Sequence, residues 1–276
     1  MVWGMSPLDR FIDDQLSLGR ATFSRESAEK AVALKEEGLV AALVRLGKRK
    51  RIVSPHKGFY IILRPEDQTS GAPDPAQWID PLMRYLSLDY RVSLLRAAAL
   101  HGSSHQAAMV FQVVVPRQLR SFEIGRHRVQ YLTQAEAAFS AVNEAPYLSQ
   151  IKTNAGFAKA AGVELTLLDA ARYAQKAGGM NGVAQIAMSI GDKADPKRLA
   201  QLAAHYETSC VRRLGYLLEH FHHDKQAKAL EPVASKAKTA VLFDPSSKPL
   251  VASLADAYEK NSRWKLILNE EVEVDL

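Results

Sequence analysis

The chain of 276 residues holds a single cysteine, Cys210. No intramolecular disulfide can form and no cysteine-based zinc cluster can be built, so the fold must be held noncovalently. The sequence has no run of about 18 apolar residues, the length a membrane-crossing helix needs. Its first fourteen residues carry Asp9, Asp13 and Asp14 and no apolar core of a leader peptide. A cytoplasmic protein with no membrane attachment is expected.

Catalytic signatures are equally scarce. "KAGGMNG" (Lys176–Gly182) lacks the lysine and serine of a phosphate-binding loop, and it follows a helical pattern instead of a strand. In "HGSSHQ" (His101–Gln106) two serines lie between histidines, but there is no nucleophile elbow and no acid partner. Ser103 or Ser104 capping a helix-to-strand turn is the better reading. "EHFHHD" (Glu219–Asp224) puts His220, His223 and Asp224 at a helix end, where such spacings can share a face for a metal. No second histidine-rich segment supplies further ligands, so a solvated helix end is expected. No catalytic residue, metal site or cofactor is assigned.

What is present is an ordinary globular composition, 47% hydrophobic and 24% charged, with an uneven distribution of charge. Through Arg64 there are 12 Lys/Arg against 7 Asp/Glu, an excess of five out of a net +6. "RLGKRKRIVSPHKGFYIIL" (Arg45–Leu63) concentrates it: Arg45, Lys48, Arg49, Lys50, Arg51 and Lys57 occur with no acid between them. A localised basic excess points to a polyanionic partner for that segment.

The surrounding pattern gives the stretch a frame. Ser6, Pro7 and Asp9 start a helix carrying Leu8, Phe11, Ile12 and Leu16, which Gly19 stops. A short extended piece, "RATF", precedes a second helix capped by Ser24. A third helix buries Leu39, Leu43 and Leu46, with Val40 beside them. After Gly47 the period becomes extended: residues 51–53, a turn at 54–58, then 59–63. Helix, strand, helix, helix and hairpin is the order of a winged helix-turn-helix, whose third helix enters the major groove while the wing lies on the backbone. Arg45 and Lys48 then end the recognition helix, and Arg49, Lys50, Arg51, His56 and Lys57 decorate the wing as phosphate contacts. Tyr60 is expected to pack beneath it. Glu36 and Glu37 at the start of the third helix suit the helix dipole but repel phosphate, so a wing serving protein contacts stays open.

"RPEDQTSGAPDPAQ" (residues 64–77) has three prolines, a glycine and little apolar periodicity, which reads as a linker. The expected division is a winged helix over 1–66, a linker over 67–77 and a larger mixed α+β domain over 78–276. In the latter, 76–86 and 89–101 read as helices, "MVFQVVVP", "RSFEIG" and "HRVQYLT" as strands, and "QIKTN" and "FAKAAG" as a hairpin. "GVELTLLDAARYAQKAGG" and "TSCVRRLGYLLEHF" are helices, Asp195-Pro196 caps another, and Trp264, Leu266 and Leu268 alternate at an extended end. Asp169 and Arg172 suggest a local ion pair. Of Arg212 and Arg213, one can face solvent while the other pairs inward.

Taken in order, "LVAALVRLGKRKRIVSPHKGFYIILRPED", "LLRAAALHGSSHQ", "GVELTLLDAARY", "AGG", "VRRLGYLLE" and "RWKLILNEEVEVDL" resemble the AbiEi-type antitoxins of the AbiE abortive-infection (type IV) toxin–antitoxin systems. The resemblance spans almost the whole chain. It implies a non-catalytic transcriptional autorepressor, with the winged helix binding an operator of inverted repeats in double-stranded DNA. It implies also a C-terminal antitoxin domain countering a neighbouring AbiEii-like nucleotidyltransferase toxin without a stable complex. Asp169 and Arg213 are surface candidates in that domain. The alternative is an enzyme of unassigned reaction, its active site in the C-terminal domain and the winged helix serving to target DNA.

Overall fold

The computed structural model describes residues 6–103, 110–247 and 258–274. The chain opens with α1 (Pro7–Ser17), β1 (Thr22–Ser24), α2 (Arg25–Ala31), α3 (Glu36–Lys48), β2 (Ile52–His56) and β3 (Phe59–Ile62). Next come α4 (Ile79–Tyr85), β4 (Arg91–Val92), α5 (Leu94–Leu100), β5 (Val110–Val115), β6 (Phe122–Ile124) and β7 (His127–Thr133). These lead to α6 (Glu136–Val142), β8 (Leu148–Thr153), β9 (Gly156–Ala161), α7 (Val163–Arg172) and α8 (Gly179–Ile190). The last elements are α9 (Pro196–Ala203), α10 (Thr208–His220), α11 (Asp224–Ala234), β10 (Val241–Leu242), β11 (Glu259–Asn261) and β12 (Leu266–Leu268). The class is mixed α+β. Two compact units emerge, one from residues 1–90, 109–133 and 150–159, the other from 91–108, 134–149 and 160–276.

In the first unit, local signals set the helix ends. Ser6 Oγ accepts from the Asp9 N–H at 3.1 Å, with Pro7 in the first turn, where its missing N–H is not needed. Ser24 and Ser27 cap α2 reciprocally. Leu39, Ala42, Leu43 and Leu46 form the buried stripe of α3 and meet Leu8, Phe11, Ile12, Phe23 and Ile62 in one core. Phe23 anchors it, edge-on to Phe11 at 5.5 Å and stacked on Tyr60 at 5.1 Å. Tyr60 therefore packs beneath the hairpin. The three strands pair antiparallel in the order β1-β3-β2, so helix, strand, helix, helix and hairpin follow in the expected winged-helix order.

The hairpin departs from expectation at its tip. Residues 54–56 continue β2, and only Lys57 and Gly58 turn. The ladder shifts register between Val53 and His56, which accommodates Pro55, a residue with no N–H to give. Ser54 Oγ donates to the carbonyls of His56 (2.8 Å) and Phe59 (2.9 Å), and Gly58 adopts φ +81°.

The segment expected as a linker is packed. The Trp78 indole donates to the Pro73 carbonyl at 3.0 Å, the Arg126 N–H donates to the Ser70 carbonyl at 2.7 Å, and Ala72 is buried. Beyond it, β5 pairs in parallel with β7, and β6 antiparallel with β7.

In the second unit every residue of α7 from Glu164 to Ala171 is buried, and α7 packs against α5, α8, α9 and α10. Asp195 caps α9 by accepting from the Arg198 N–H at 2.9 Å. β4 pairs in parallel with β9 through Val92 and Ala160. Residues 91 and 92 were expected to be helical; α5 begins only at Leu94, after Ser93 in an extended conformation. The extended conformation goes with an inward-pointing Arg91 side chain. The C-terminal strands form a sheet in the order β10-β12-β11. Gly215 on α10 leaves room for the Trp264 ring, which a Cβ at that position would overlap. The Trp264 indole donates to Glu219 at 2.5 Å, and Arg263 bridges Glu219 and Glu231.

Candidate functional site

The basic stretch lies around the C-terminal end of α3 and along the hairpin. Arg45 and Lys48 are exposed in the last turn of α3, where cations also suit the helix dipole. Arg49 closes the helix, its N–H donating to the Arg45 carbonyl at 3.0 Å, and exposed Lys50 turns the chain at φ +54°. Arg51 is different. Its guanidinium donates to Asp13 on α1 at 2.7 Å, so its charge is matched within the unit. At the tip, His56 and Lys57 are exposed, and the His56 ring meets Tyr85 edge-on at 6.0 Å.

Tyr85, from α4, is the residue that sequence reasoning missed. Its hydroxyl donates to the Lys57 carbonyl at 3.1 Å, and its ring also tilts against Phe59 at 5.4 Å. From the other side the Arg25 N–H donates to the Gly58 carbonyl at 2.7 Å. The wing turn is thus held by its backbone, with the Lys57 side chain directed to solvent. A lone tyrosine 28 residues further along the chain gives no local signal of this contact.

Of the two acids expected to repel phosphate, Glu36 is paired and Glu37 is exposed. Arg25 donates to Glu36 and to Glu29, each at 2.7 Å, and these bonds hold the guanidinium above its ordinary pKa. Between α2, α3 and the wing runs a groove of about 920 Å³, with Val40, Leu43 and Val44 along α3 facing Ile52, Tyr60 and Tyr85.

In the second unit Asp169 is no surface residue. It is fully buried and takes both Nε and Nη2 of Arg91 at 2.8 Å, a bidentate pair across 78 positions of sequence. Ser93 Oγ donates to it at 2.6 Å and the Tyr206 hydroxyl at 2.7 Å. Arg91 also donates to Gln134 (2.7 Å) and Asn143 (3.3 Å) and lies 5.2 Å from the centre of the Phe139 ring. Burial pulls the Arg91 pKa down, but Asp169 more than offsets it, leaving Arg91 charged above its ordinary range. Burial, with Asp169 beside it, raises the Tyr206 phenol well above its usual value. The cluster is closed to solvent and its carboxylate is fully engaged, so its chemistry is structural.

The expected pair of Asp169 with Arg172 does not form, because Arg172 points to Glu207, at 2.8 Å. Arg212 and Arg213 also differ from expectation, since both donate to backbone carbonyls. Arg212 reaches Thr239 (2.8 Å) and Lys265 (3.1 Å); Arg213, partly exposed, reaches Leu242 through Nε (3.2 Å) and Nη2 (3.0 Å). Burial lowers the pKa of each. In "EHFHHD" the helix breaks, α10 ending at His220 and α11 starting at Asp224, with His222 at φ +59° between them. Among the described residues no three His, Cys, Asp or Glu side chains are placed to hold a metal. Ser103 of "HGSSHQ" is buried, and Ser104, His105 and Gln106 lie outside the described residues. No described helix is long and apolar enough to cross a membrane.

Fold and site together define an α+β protein with a winged-helix element order at its N-terminus and a buried arginine–aspartate centre further on. Residues 91–220 match the family model of the AbiEi antitoxin C-terminal domain, a span that opens at Arg91 and includes Asp169 and Tyr206. This part of the chain is thus similar to the AbiEi antitoxin C-terminal domain, and the match supports an antitoxin role in a toxin–antitoxin system. The crystal structure of the RV2827C protein from Mycobacterium tuberculosis is similar in fold, with TM-score 0.64 at 15% identity. The similarity covers 94% of this chain and 89% of that one. No curated protein matches the chain in sequence.

Proposed function

We propose that this antitoxin is also a transcriptional autorepressor, binding an operator of inverted repeats upstream of its own operon, and that it acts without catalysis. The toxin it counters is an AbiEii-like nucleotidyltransferase encoded next to it, with which it forms no stable complex. DNA contacts fall in residues 1–66 and the antitoxin role in 78–276, the two meeting at 67–77. The observation that carries this reading is the AbiEi domain match behind an N-terminal helix–hairpin unit whose cations have few acid partners. Arg45, Lys48, Arg49, Lys50 and Lys57 are exposed, and among the described residues no ion pair joins any of them to a carboxylate. Arg51 contributes less, since Asp13 already holds it, and His56 lies at the tip beside Lys57. Exposed cations on such a scaffold meet phosphate oxygens and release counterions. In the antitoxin domain, partly exposed Arg213 is the candidate for meeting a partner, while Asp169 supports the domain from inside.

A mobility-shift titration of the full chain on its upstream region tests the DNA half. Binding that competes equally with random duplex would sink it. Co-expression with the adjacent gene tests the other half: growth should recover, while the two proteins elute separately.

A further inference from the structure

The side of α3 facing away from the core carries Glu37, Ala41, Val44 and Lys48, positions that align on one helix face, and all are exposed. Two branched aliphatic side chains stay in water on this helix, Val44 at 53% and Val40 at 41% exposure. Valine is a modest helix former, and exposed it contributes nothing to the core, so the fold of this unit does not account for Val44. Its surroundings do. Arg45 and Lys48 flank it on α3, Lys57 stands across on the wing, and Glu36 is tied down by Arg25. An apolar centre with cations at its C-terminal end and across on the wing, and Glu37 at its N-terminal end, is complementary over its middle and C-terminal part to a strip of DNA major groove, where phosphates border the base edges. Of the four bases only thymine presents an apolar group there, its C5-methyl. Positions 41 and 44 have no donor or acceptor with which to read anything else.

We propose that Val44, with Ala41 one turn before it, reads thymine methyl groups, so that each operator half-site places T·A pairs opposite the middle of α3. The inference rests on the DNA-binding reading above and adds to it the base chemistry of the site. Arg45 and Lys48, on either side, hold the helix in register on the backbone.

The test uses the full chain. Duplexes are selected from a random library, and each thymine of the recovered site is then replaced singly by uracil, which removes only the methyl. Wild type should lose about fourfold in affinity at one or two thymines per half-site, the factor for burying one methyl-sized apolar group. Val44→Ala should bind the thymine site more weakly and lose that sensitivity to uracil. Because Val44 is exposed, the variant should melt with wild type, which circular dichroism checks. A recovered site that tolerates uracil everywhere overturns the inference and leaves DNA binding standing. A library that yields no enriched site overturns both. Loss of binding to a protein partner in Val44→Ala, with DNA affinity unchanged, would assign this face to a protein contact and overturn the inference.

Discussion

Replacing Asp169 with Asn keeps the shape of the buried centre but removes the charge that Arg91 faces. The guanidinium is fully buried and left with the neutral acceptors Gln134, Asn143, the Tyr206 hydroxyl and the new amide oxygen. Breaking a buried pair from one side costs about 3–5 kcal/mol, a large part of the roughly 5–15 kcal/mol by which a domain is stable. Removing both partners, as in Arg91→Met with Asp169→Leu, takes that penalty away. Ser93 and Tyr206 would then lose their acceptor, at about 1–3 kcal/mol for each buried group left without one. The double variant should therefore recover part of the loss and stay below wild type. Urea unfolding of the full chain followed by circular dichroism measures all three. The reasoning fails if Asp169→Asn costs less than about 1 kcal/mol, since the buried charge would then have found water or another acid.

Gly215→Ala should destabilise by about 1–3 kcal/mol as Trp264 is pushed from its seat on α10, with a matching change in near-ultraviolet dichroism. Burial pushes the Cys210 thiol up to about 12, so a maleimide should label it only after unfolding at pH 8; stoichiometric labelling of native protein would contradict its burial. The sign for stability follows from the same shift. A folded-state pKa raised above the ordinary value of 9.0 gives stability that is complete below pH 9 and declines as pH rises toward 12, with Tyr206 acting in the same direction. In salt titrations of operator binding, removing Lys50 and Lys57 together should flatten the slope of log affinity against log salt by about 1 to 2 units. Arg51→Ala should leave that slope nearly unchanged because Asp13 already neutralises the side chain, and an equal flattening would show that the Arg51–Asp13 pair opens on DNA.

Features carried by neighbouring residues were legible in the sequence. Ser6-Pro7-Leu8-Asp9, the Ser24 cap and the Leu39, Leu43, Leu46 stripe each lie within a few positions, so three helices and a basic hairpin could be read directly. What escaped depends on partners far along the chain. Arg91 and Val92 look helical because alanine and leucine follow them, yet the pull of Asp169 and pairing with Ala160 make them a strand. α6 has no side-chain cap, and α11 lacks one too and contains Pro232, so neither announced itself. The basic stretch stood out as a candidate surface. That Arg51 is matched by Asp13, and Glu36 by Arg25, could be learned only once the helices were packed.

Tyr85 has a bearing on how this winged helix behaves when cut from the rest. A fragment ending at residue 66 keeps every wing cation but lacks the hydroxyl that holds the Lys57 carbonyl and the ring that covers Gly58. The turn would then sample many conformations in the free fragment and have to be ordered on DNA. Immobilising each flexible side chain costs about 0.5–1.5 kcal/mol, so the fragment should bind several-fold more weakly than the whole chain with its contacts unchanged. α4 thus preorganises a surface to which it contributes no charge.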